Sequence, residues 1–299
     1  MRSIASGLCI GFLFAASSAF AQGTQPSSPV SSTQRAAEAT SPDFSAVYCS
    51  NVVTNEHVQD DIRLISGEAS NVKIVFSRGD FVYLNRGANQ GVKVGDRFYL
   101  ARPDKDEVKV QWFKWQDRLM RAMGTIYKDT GQVQVTTVHP NVSIAKVTFT
   151  CDYLQRGDIA RPLEERPSPA YKPIAPFEQF APVSGKSVGM LVLGQQFTQL
   201  YGKNSVVYVN LGTEQGVKVG DYLRVFCYQG STAENLPNED GLQYKVFGFG
   251  GTPQRYEWND VPREVLGEGI VINVTKDACT IFITYSRIEM YAGDYVEIE

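Results

Sequence analysis

Histidine is almost absent from this sequence, which has only two in 299 residues, His57 and His139. His139 precedes a proline in a predicted hairpin turn, and His57 lies in a polar segment. Neither setting is typical of a zinc site or a Ser-His-Asp triad, which need a histidine in a pocket. The sequence also shows no nucleophile beside a general base. We therefore expect a protein that is not an enzyme and that holds no cofactor and no metal ion.

Several other features are missing as well. No two cysteines have the C-x-x-C spacing, which excludes zinc ribbons and thioredoxin-type redox sites. There is no basic cluster, and 29 Lys and Arg residues against 32 Asp and Glu residues give a net charge of −3. A nucleic acid is therefore not an expected partner. Beyond the N-terminus there is no long apolar run, so we expect no transmembrane span in the processed chain.

The N-terminus has the pattern of a bacterial secretory signal peptide. A positive charge at Arg2 precedes a short apolar run, and an A-F-A tripeptide ending at residue 21 fits a small-x-small cleavage site. Cys9 lacks the sequence context of a lipoprotein site. The sequence thus predicts a signal peptide over residues 1–21 and a periplasmic or secreted protein that is not a lipoprotein.

Two polar stretches divide the remaining chain. Residues 22–43 are rich in Ser, Thr, Pro and Gln without an apolar period, and we interpret them as a disordered tether. Residues 162–182 contain six prolines, which favours an extended, semi-rigid linker. These boundaries leave two modules, residues 44–161 and 183–299.

The two modules are copies of each other. Residues 82–96 and 207–221 align at an offset of 125 with 11 of 15 positions identical. Further on, residues 130–148 and 266–284 align at an offset of 136, so the second copy has an insertion of 11 residues. Short segments such as VQVTTV and IVINV are β-branched and are bounded by turn residues. Many short strands with dense turn signals predict a mainly β protein built of small barrels or sandwiches.

The shared motif, NRGANQGVKVGD in the first copy, has the glycines of a ligand-binding loop. A phosphate-binding loop opens onto a helix, however, and here a strand pattern follows. We therefore assign the motif to a chain turn, in which glycine permits a positive φ or a close backbone approach and aspartate accepts backbone N–H groups. The residues assigned to these turns are Gly87, Gly91, Gly95 and Asp96, and Gly212, Gly216, Gly220 and Asp221.

Signal-peptide cleavage would leave four cysteines, Cys49, Cys151, Cys227 and Cys279. An even number in an exported chain favours two disulfides, although four cysteines permit three pairings. Our preferred pairing joins cysteines within each copy, Cys49 with Cys151 and Cys227 with Cys279.

Aromatic residues cluster in one long connecting segment of each copy. The candidate partner-binding residues are Trp112, Phe113 and Trp115 in the first copy and Tyr256 and Trp258 in the second, with Phe247 and Phe249 nearby. Exposed aromatic side chains on loops are effective anchors for protein partners or sugar rings. The alternative is that they cover an open end of a barrel.

The motif V-Y-[LV]-N-x-G-x-x-x-G-V-K-V-G-D occurs at Val82–Asp96 and at Val207–Asp221, and each copy closes with a Gly-Asp pair. This pattern resembles the C-terminal module of flagellar assembly protein T, and similar modules occur in other bacterial envelope proteins. The resemblance implies two tandem SH3-like β modules in a periplasmic protein of flagellar basal-body rings. The other domains of that family have no counterpart here.

Two functions follow as hypotheses. The first is a docking or assembly element in a periplasmic or outer-membrane complex, whose partners are envelope proteins. The second is a peptidoglycan- or polysaccharide-binding module that uses the tryptophan-bearing loops. Exposed apolar edges would favour docking, whereas a groove lined by Trp112, Trp115 or Trp258 would favour glycan binding.

Overall fold

Short segments rich in β-branched and aromatic residues form strands along most of the chain, as their composition predicts. In this computed structural model the described residues are 40–104, 111–173, 176–228 and 262–299, and they belong to one compact unit. The predicted signal peptide and nearly all of the predicted tether lie outside these ranges. No helix within them is long and apolar enough to cross a membrane.

The described elements are two α-helices, two single-turn 3-10 helices and seventeen strands. The helices are α1 Phe44–Tyr48 and α2 Gln116–Met123, and the 3-10 turns are Ala88–Gln90 and Thr213–Gln215. The strands before the proline-rich segment are β1 Val52–Thr54, β2 Leu64–Gly67, β3 Val75–Phe76, β4 Phe81–Leu84, β5 Arg97–Pro103, β6 Thr125–Val138, β7 Ser143–Thr150, β8 Leu154–Gln155 and β9 Ile159–Pro162. Those after it are β10 Val188–Gly194, β11 Leu200–Tyr201, β12 Val206–Val209, β13 Tyr222–Cys227, β14 Glu264–Val274, β15 Cys279–Ser286, β16 Met290–Tyr291 and β17 Tyr295–Ile298.

The two halves have the same strand order. The second half is a closed barrel in the order β10-β12-β15-β14-β13-β17. The first half has the order β2-β4-β7-β6-β5-β9, with β1 added alongside β6, and a single bridge between Arg63 and Ile159 connects its two ends. Each half also has a small two-stranded sheet, β3-β8 and β11-β16. The prediction of a mainly β chain is confirmed, and the matching orders agree with the repeat seen in the sequence.

Each half encloses its own apolar core. In β4, Val82 and Leu84 are buried while Phe81 and Tyr83 face outward, as the two-residue period of a strand requires. The same motif in β12 buries three of its four residues, because the outer face of this strand is covered as well. This difference between equivalent strands shows which face of the second half is in contact with the first.

The glycine motif turns the chain in both copies, as predicted. Gly91 and Gly216 have φ values of 84° and 82°, a conformation that favours glycine. A Cβ at Gly87 would lie 2.1 Å from the carbonyl oxygen of His139, so a close backbone approach requires glycine there. Asp96 Oδ2 accepts the N–H of Lys93 at 2.8 Å, which is the role expected of this aspartate. The motif is therefore structural in this fold.

The proline-rich segment between β9 and β10 has no helix or strand among its described residues, as its proline content predicts. It is nevertheless packed against both halves. Arg166 pairs with Asp129 of β6 at 2.7 Å, and Lys172 Nζ lies 2.6 Å from carboxylate oxygens of both Glu268 and Glu299. The segment therefore acts as a strap along the molecule.

One of the two predicted disulfides is confirmed and the other is wrong. Cys49 and Cys151 are bonded, whereas Cys227 and Cys279 are free thiols. Cys227 is paired with the first residue of β14 and Cys279 with its last. These positions lie roughly 30 Å apart at about 3.3 Å per residue, far beyond the Cα separation of under ~7 Å that a disulfide permits.

Candidate functional site

The predicted aromatic site is largely built into the fold. Phe113 is only 8% exposed, and a Cβ at Gly293 would lie 3.0 Å from its Cγ, so its ring covers a turn of the second half. Trp112 is half-buried and packs against the second-half core. Trp115 alone of these three is exposed, at 58%. Phe113 and Trp112 thus pack against the second half, while Tyr256 and Trp258 lie outside the described residues.

Helix α2 provides first-half residues that contact the second half. Its sequence, QDRLMRAM, consists mostly of good helix formers, and an Asp117–Arg121 pair at 2.8 Å adds i,i+4 support. Gln116 accepts the N–H of Trp112 at 2.8 Å and donates to the carbonyl of Val192 at 2.9 Å. The side chain of Gln116 therefore ties the start of the helix to β10 of the second half.

An apolar cluster holds the two halves together. Val53 of β1 and Met123 of α2 pack with Val192, Leu193 and Tyr208 of the second half, and all five are buried. Burial of a side chain of this size is worth about 1.5–3 kcal/mol. These contacts hold the two halves together in one compact unit.

A buried polar network lies beside this cluster. The backbone N–H of Asn51 donates to Asp129 Oδ2 at 2.8 Å, and the N–H of Asp129 donates back to Asn51 Oδ1 at 3.0 Å. Asn51 Nδ2 then donates to the hydroxyl of Tyr208 at 2.8 Å, across the two halves. Arg166 makes two bonds of 2.7 Å to the Asp129 carboxylate. Each buried polar atom named here has a partner, so the network fixes the junction without an unpaired charge.

Further bonds cross the junction from the second half to the N-terminal part of the chain. Thr275 Oγ1 donates to the carbonyl of Val53 at 2.7 Å, and Asn273 Nδ2 donates to the carbonyl of Asn51 at 3.2 Å. The acceptors are backbone carbonyls, which carry no sequence signature. Sequence reasoning therefore missed this contact.

A second surface of the first half remains open to solvent. Its members, which we call the first-half apolar surface, are Ile65, Val72, Ile74, Val75 and Phe81, and their exposed fractions are 44%, 80%, 71%, 42% and 36%. They lie on β2, β3, β4 and the turn between β2 and β3. Clustered exposed apolar side chains mark interaction sites more often than scattered ones do. The sequence feature that could have revealed this surface is the run VKIV at residues 72–75. It follows a turn, and its apolar and polar residues do not alternate.

Equivalent aspartates of the two copies have different neighbours. Asp158 is paired with Arg102 at 2.7 Å, but Cys227 stands at the Arg102 position in the second copy. Burial raises the pKa of Asp294 to about 6, although the N–H of Tyr291 donates to its carboxylate. Burial likewise raises the pKa of the Cys227 thiol to about 11.

This contrast predicts a pH dependence of stability. A carboxyl group whose pKa rises on folding binds its proton more tightly in the folded chain, so stability falls as pH rises from the unfolded value of about 4 to about 6. The expected loss is on the order of 2–3 kcal/mol. Urea unfolding of wild type and Asp294→Asn at pH 4 and pH 7 measures it. The loss should shrink in Asp294→Asn, and an unchanged loss would contradict this assignment.

Among the side chains that the structure describes, no group of three potential metal ligands is found. The arrangement offers a packed, hydrogen-bonded junction and an exposed apolar surface. In comparisons with known proteins, no protein-family model matches the chain and no curated protein matches it. The resemblance to the module of flagellar assembly protein T therefore stays a prediction.

Proposed function

We propose that the chain is a non-enzymatic docking element of a periplasmic or outer-membrane complex, in which the two halves bind as one unit. The observation that carries the proposal is the first-half apolar surface, with Val72 80% and Ile74 71% exposed. The predicted signal peptide supports export, and the sequence resemblance supports tandem SH3-like modules in an envelope assembly, flagellar or otherwise. Envelope proteins are the proposed partners.

The packed junction between the two halves supports docking. Binding costs free energy when loops and domains must be ordered, and a preorganised surface avoids much of that cost. The surface lies partly on strands β2 and β4, which are hydrogen-bonded within the first sheet. Ile65 and Phe81 are 44% and 36% exposed, so covering the exposed part of each contributes about 0.5–1.5 kcal/mol, less than the value for burying a whole side chain.

The test is crosslinked affinity purification of the tagged chain from intact envelopes, followed by mass spectrometry. We expect wild type to recover defined envelope proteins, and the variant Ile65→Ser/Ile74→Ser to lose most of that recovery. Val94→Ser is the matched control, because Val94 is 66% exposed but lies in the glycine motif between the 3-10 turn and β5, and not on β2, β3, β4 or the turn between β2 and β3. Equal recovery by the double variant and the control would contradict the proposal.

A second candidate function, peptidoglycan or polysaccharide binding, is favoured by Trp115. Its ring is exposed, and its backbone has a φ of 77° just before α2, a strained conformation for a bulky residue. Such strain is often found at functional positions. Recovery of peptidoglycan fragments alone, abolished by Trp115→Ala and unaffected by Ile65→Ser/Ile74→Ser, would favour this function over docking.

A further inference from the structure

The strand registers show which residues of the two halves are equivalent. β2 pairs with β4 as β10 pairs with β12, and the register shift within each pair occurs at the same place. Ile65 is therefore equivalent to Val192, and Tyr83 is equivalent to Tyr208 by the offset of 125. The two halves thus present the same face of the sheet at these positions.

These equivalent residues differ in exposure. Val192 and Tyr208 are buried, because β1 and α2 of the first half pack against them in the apolar cluster of the junction. Gln116 of α2 also donates to the carbonyl of Val192 at 2.9 Å. In the first half, Ile65 is 44% exposed and Tyr83 is half-buried. The first half thus keeps an apolar residue and a tyrosine where the second half uses them for contact.

The turn beside this face shows the same difference. Counted back from β3 and β11, Val72 is equivalent to Phe197, and the N–H of each donates to the carbonyl three residues earlier. Phe197 packs against the apolar cluster of the junction, whereas Val72 is 80% exposed. The open face of the first half therefore includes apolar side chains on both strand and turn.

A further pair of equivalent positions lies in the closing Gly-Asp turn of each copy. Gly293 and Gly157 are equivalent by the offset of 136 and have φ values of 103° and 94°. A Cβ at Gly293 would lie 3.0 Å from Cγ of Phe113, but a Cβ at Gly157 would meet no described atom within 4 Å. The segment that includes Phe113 and α2 therefore covers positions of the second half whose equivalents in the first half are open.

The main covering element in the second half is an amphipathic helix. Met123 of α2 is buried in the junction cluster, and Leu119 and Met120 pack against it. On the other side of the helix, Asp117 and Arg121 pair with each other, and their side chains are 56% and 72% exposed. Leu119 and Met123 have the i,i+4 spacing that places side chains on one face of a helix.

Basic residues border the open positions of the first half. Arg156 is exposed and directly precedes the open glycine, and Lys146 is exposed and pairs in register with the first residue of β4. Neither makes an ion pair with a residue that the structure describes. The acidic groups of this region, Glu68 and Asp80, lie 3.9 Å and 2.7 Å from Lys73 Nζ. An acidic partner therefore complements the charge around this surface.

We propose that an acidic amphipathic helix of an envelope protein covers the first-half apolar surface, as α2 covers the equivalent face of the second half. Its apolar side chains at i and i+4 pack on Ile65 and Val72, a mode of recognition in which a helix lies in an apolar groove. Its carboxylates lie near Arg156 and Lys146. This inference rests on the proposed function, because it names the chemistry of the partner of the same surface.

The probe for this inference is a fluorescently labelled peptide with the sequence of residues 111–124, which contains α2. The substitutions Arg118→Glu/Arg121→Glu give the peptide a net negative charge and leave its apolar face intact. The matched control peptide carries Leu119→Ser/Met123→Ser in addition, which removes the apolar face.

The test is fluorescence anisotropy of these peptides titrated with the purified full chain. We expect the acidic peptide to bind wild type and the Val94→Ser control equally. Binding to Ile65→Ser/Val72→Ser should be weaker by about tenfold or more, because two apolar contacts are lost. Lys146→Glu/Arg156→Glu should also weaken binding, as should added salt, which screens exposed charges. Unchanged thermal unfolding of the variants shows that they are folded.

Three results would overturn the inference. The first is that the acidic peptide does not bind wild type, or binds no better than the control peptide without an apolar face. The second is equal binding to wild type and to Ile65→Ser/Val72→Ser, which would place the helix on another surface. The third is an acidic peptide that binds no more tightly than the peptide of native sequence. The docking function itself would stand after any of these results if envelope capture still depended on Ile65 and Ile74.

Discussion

Replacing Arg166 by alanine is expected to lower the free energy of unfolding by about 3–5 kcal/mol, the cost typical of breaking a buried ion pair by removing one partner. The Asp129 side chain is 4% exposed and would lose both of its guanidinium bonds. Burial disfavours the charge of Arg166, but the hydrogen bonds and charge of Asp129 outweigh that effect and hold its pKa above the ordinary value. The loss should be large because the pair lies in the network that joins the halves.

Urea denaturation of wild type and Arg166→Ala measures this effect. The matched control is Arg121→Ala, which removes an exposed i,i+4 pair with Asp117 and should cost about 0.5 kcal/mol or less. If Arg166→Ala lowers the free energy of unfolding no more than Arg121→Ala does, the proline-rich strap does not stabilise the junction between the halves. Arg166 also lies over the rings of Tyr48 and Tyr99, so some of the loss reflects packing.

Removing the Cys49–Cys151 disulfide is expected to cause the second large loss of stability. The bond closes a loop with a sequence separation of 102 residues, which is worth up to ~4–5 kcal/mol in the chain-entropy model. For a chain of this size a loss of that order lowers the melting temperature by roughly 10 °C. The disulfide also connects α1 to the end of β7, next to the polar network.

Thermal unfolding with and without reductant tests this prediction. The double variant Cys49→Ala/Cys151→Ala should melt at the temperature of the reduced wild type and should not respond to reductant. Cys227→Ser is the control, since Cys227 is a free thiol, and it should respond as wild type does. The prediction would be contradicted if wild type melted at the same temperature with and without reductant although the disulfide was fully reduced.

The repeat and its turns could be predicted from the sequence because they depend on local chemistry. The positive φ at Gly91 and Gly216 and the aspartate turn at Asp96 follow from residue type and spacing. The strand pattern was predicted for the same reason, since β-branched residues in short runs restrict the backbone whatever surrounds them. The Cys49–Cys151 bond belongs to one of the three complete pairings that four cysteines allow.

The candidate surfaces could not be predicted in the same way, because exposure depends on contacts between the halves. Phe113 and Trp115 lie two residues apart, yet one is buried against the turn at Gly293 and the other faces solvent. Ile65 and Val192 occupy equivalent strand positions, yet α2 covers only the second. The wrong pairing of Cys227 has a similar cause, since the length of β14 separates it from Cys279.

Site-specific photo-crosslinking at position 65 in intact envelopes tests the docking claim most directly. A photoreactive amino acid replaces Ile65 in one sample and Val94 in a control sample, and adducts are identified by mass spectrometry. We predict a discrete adduct from position 65 and none from position 94, with the mass of a defined envelope protein. The absence of an adduct at position 65, or equal adducts at both positions, would contradict a docking function for this surface.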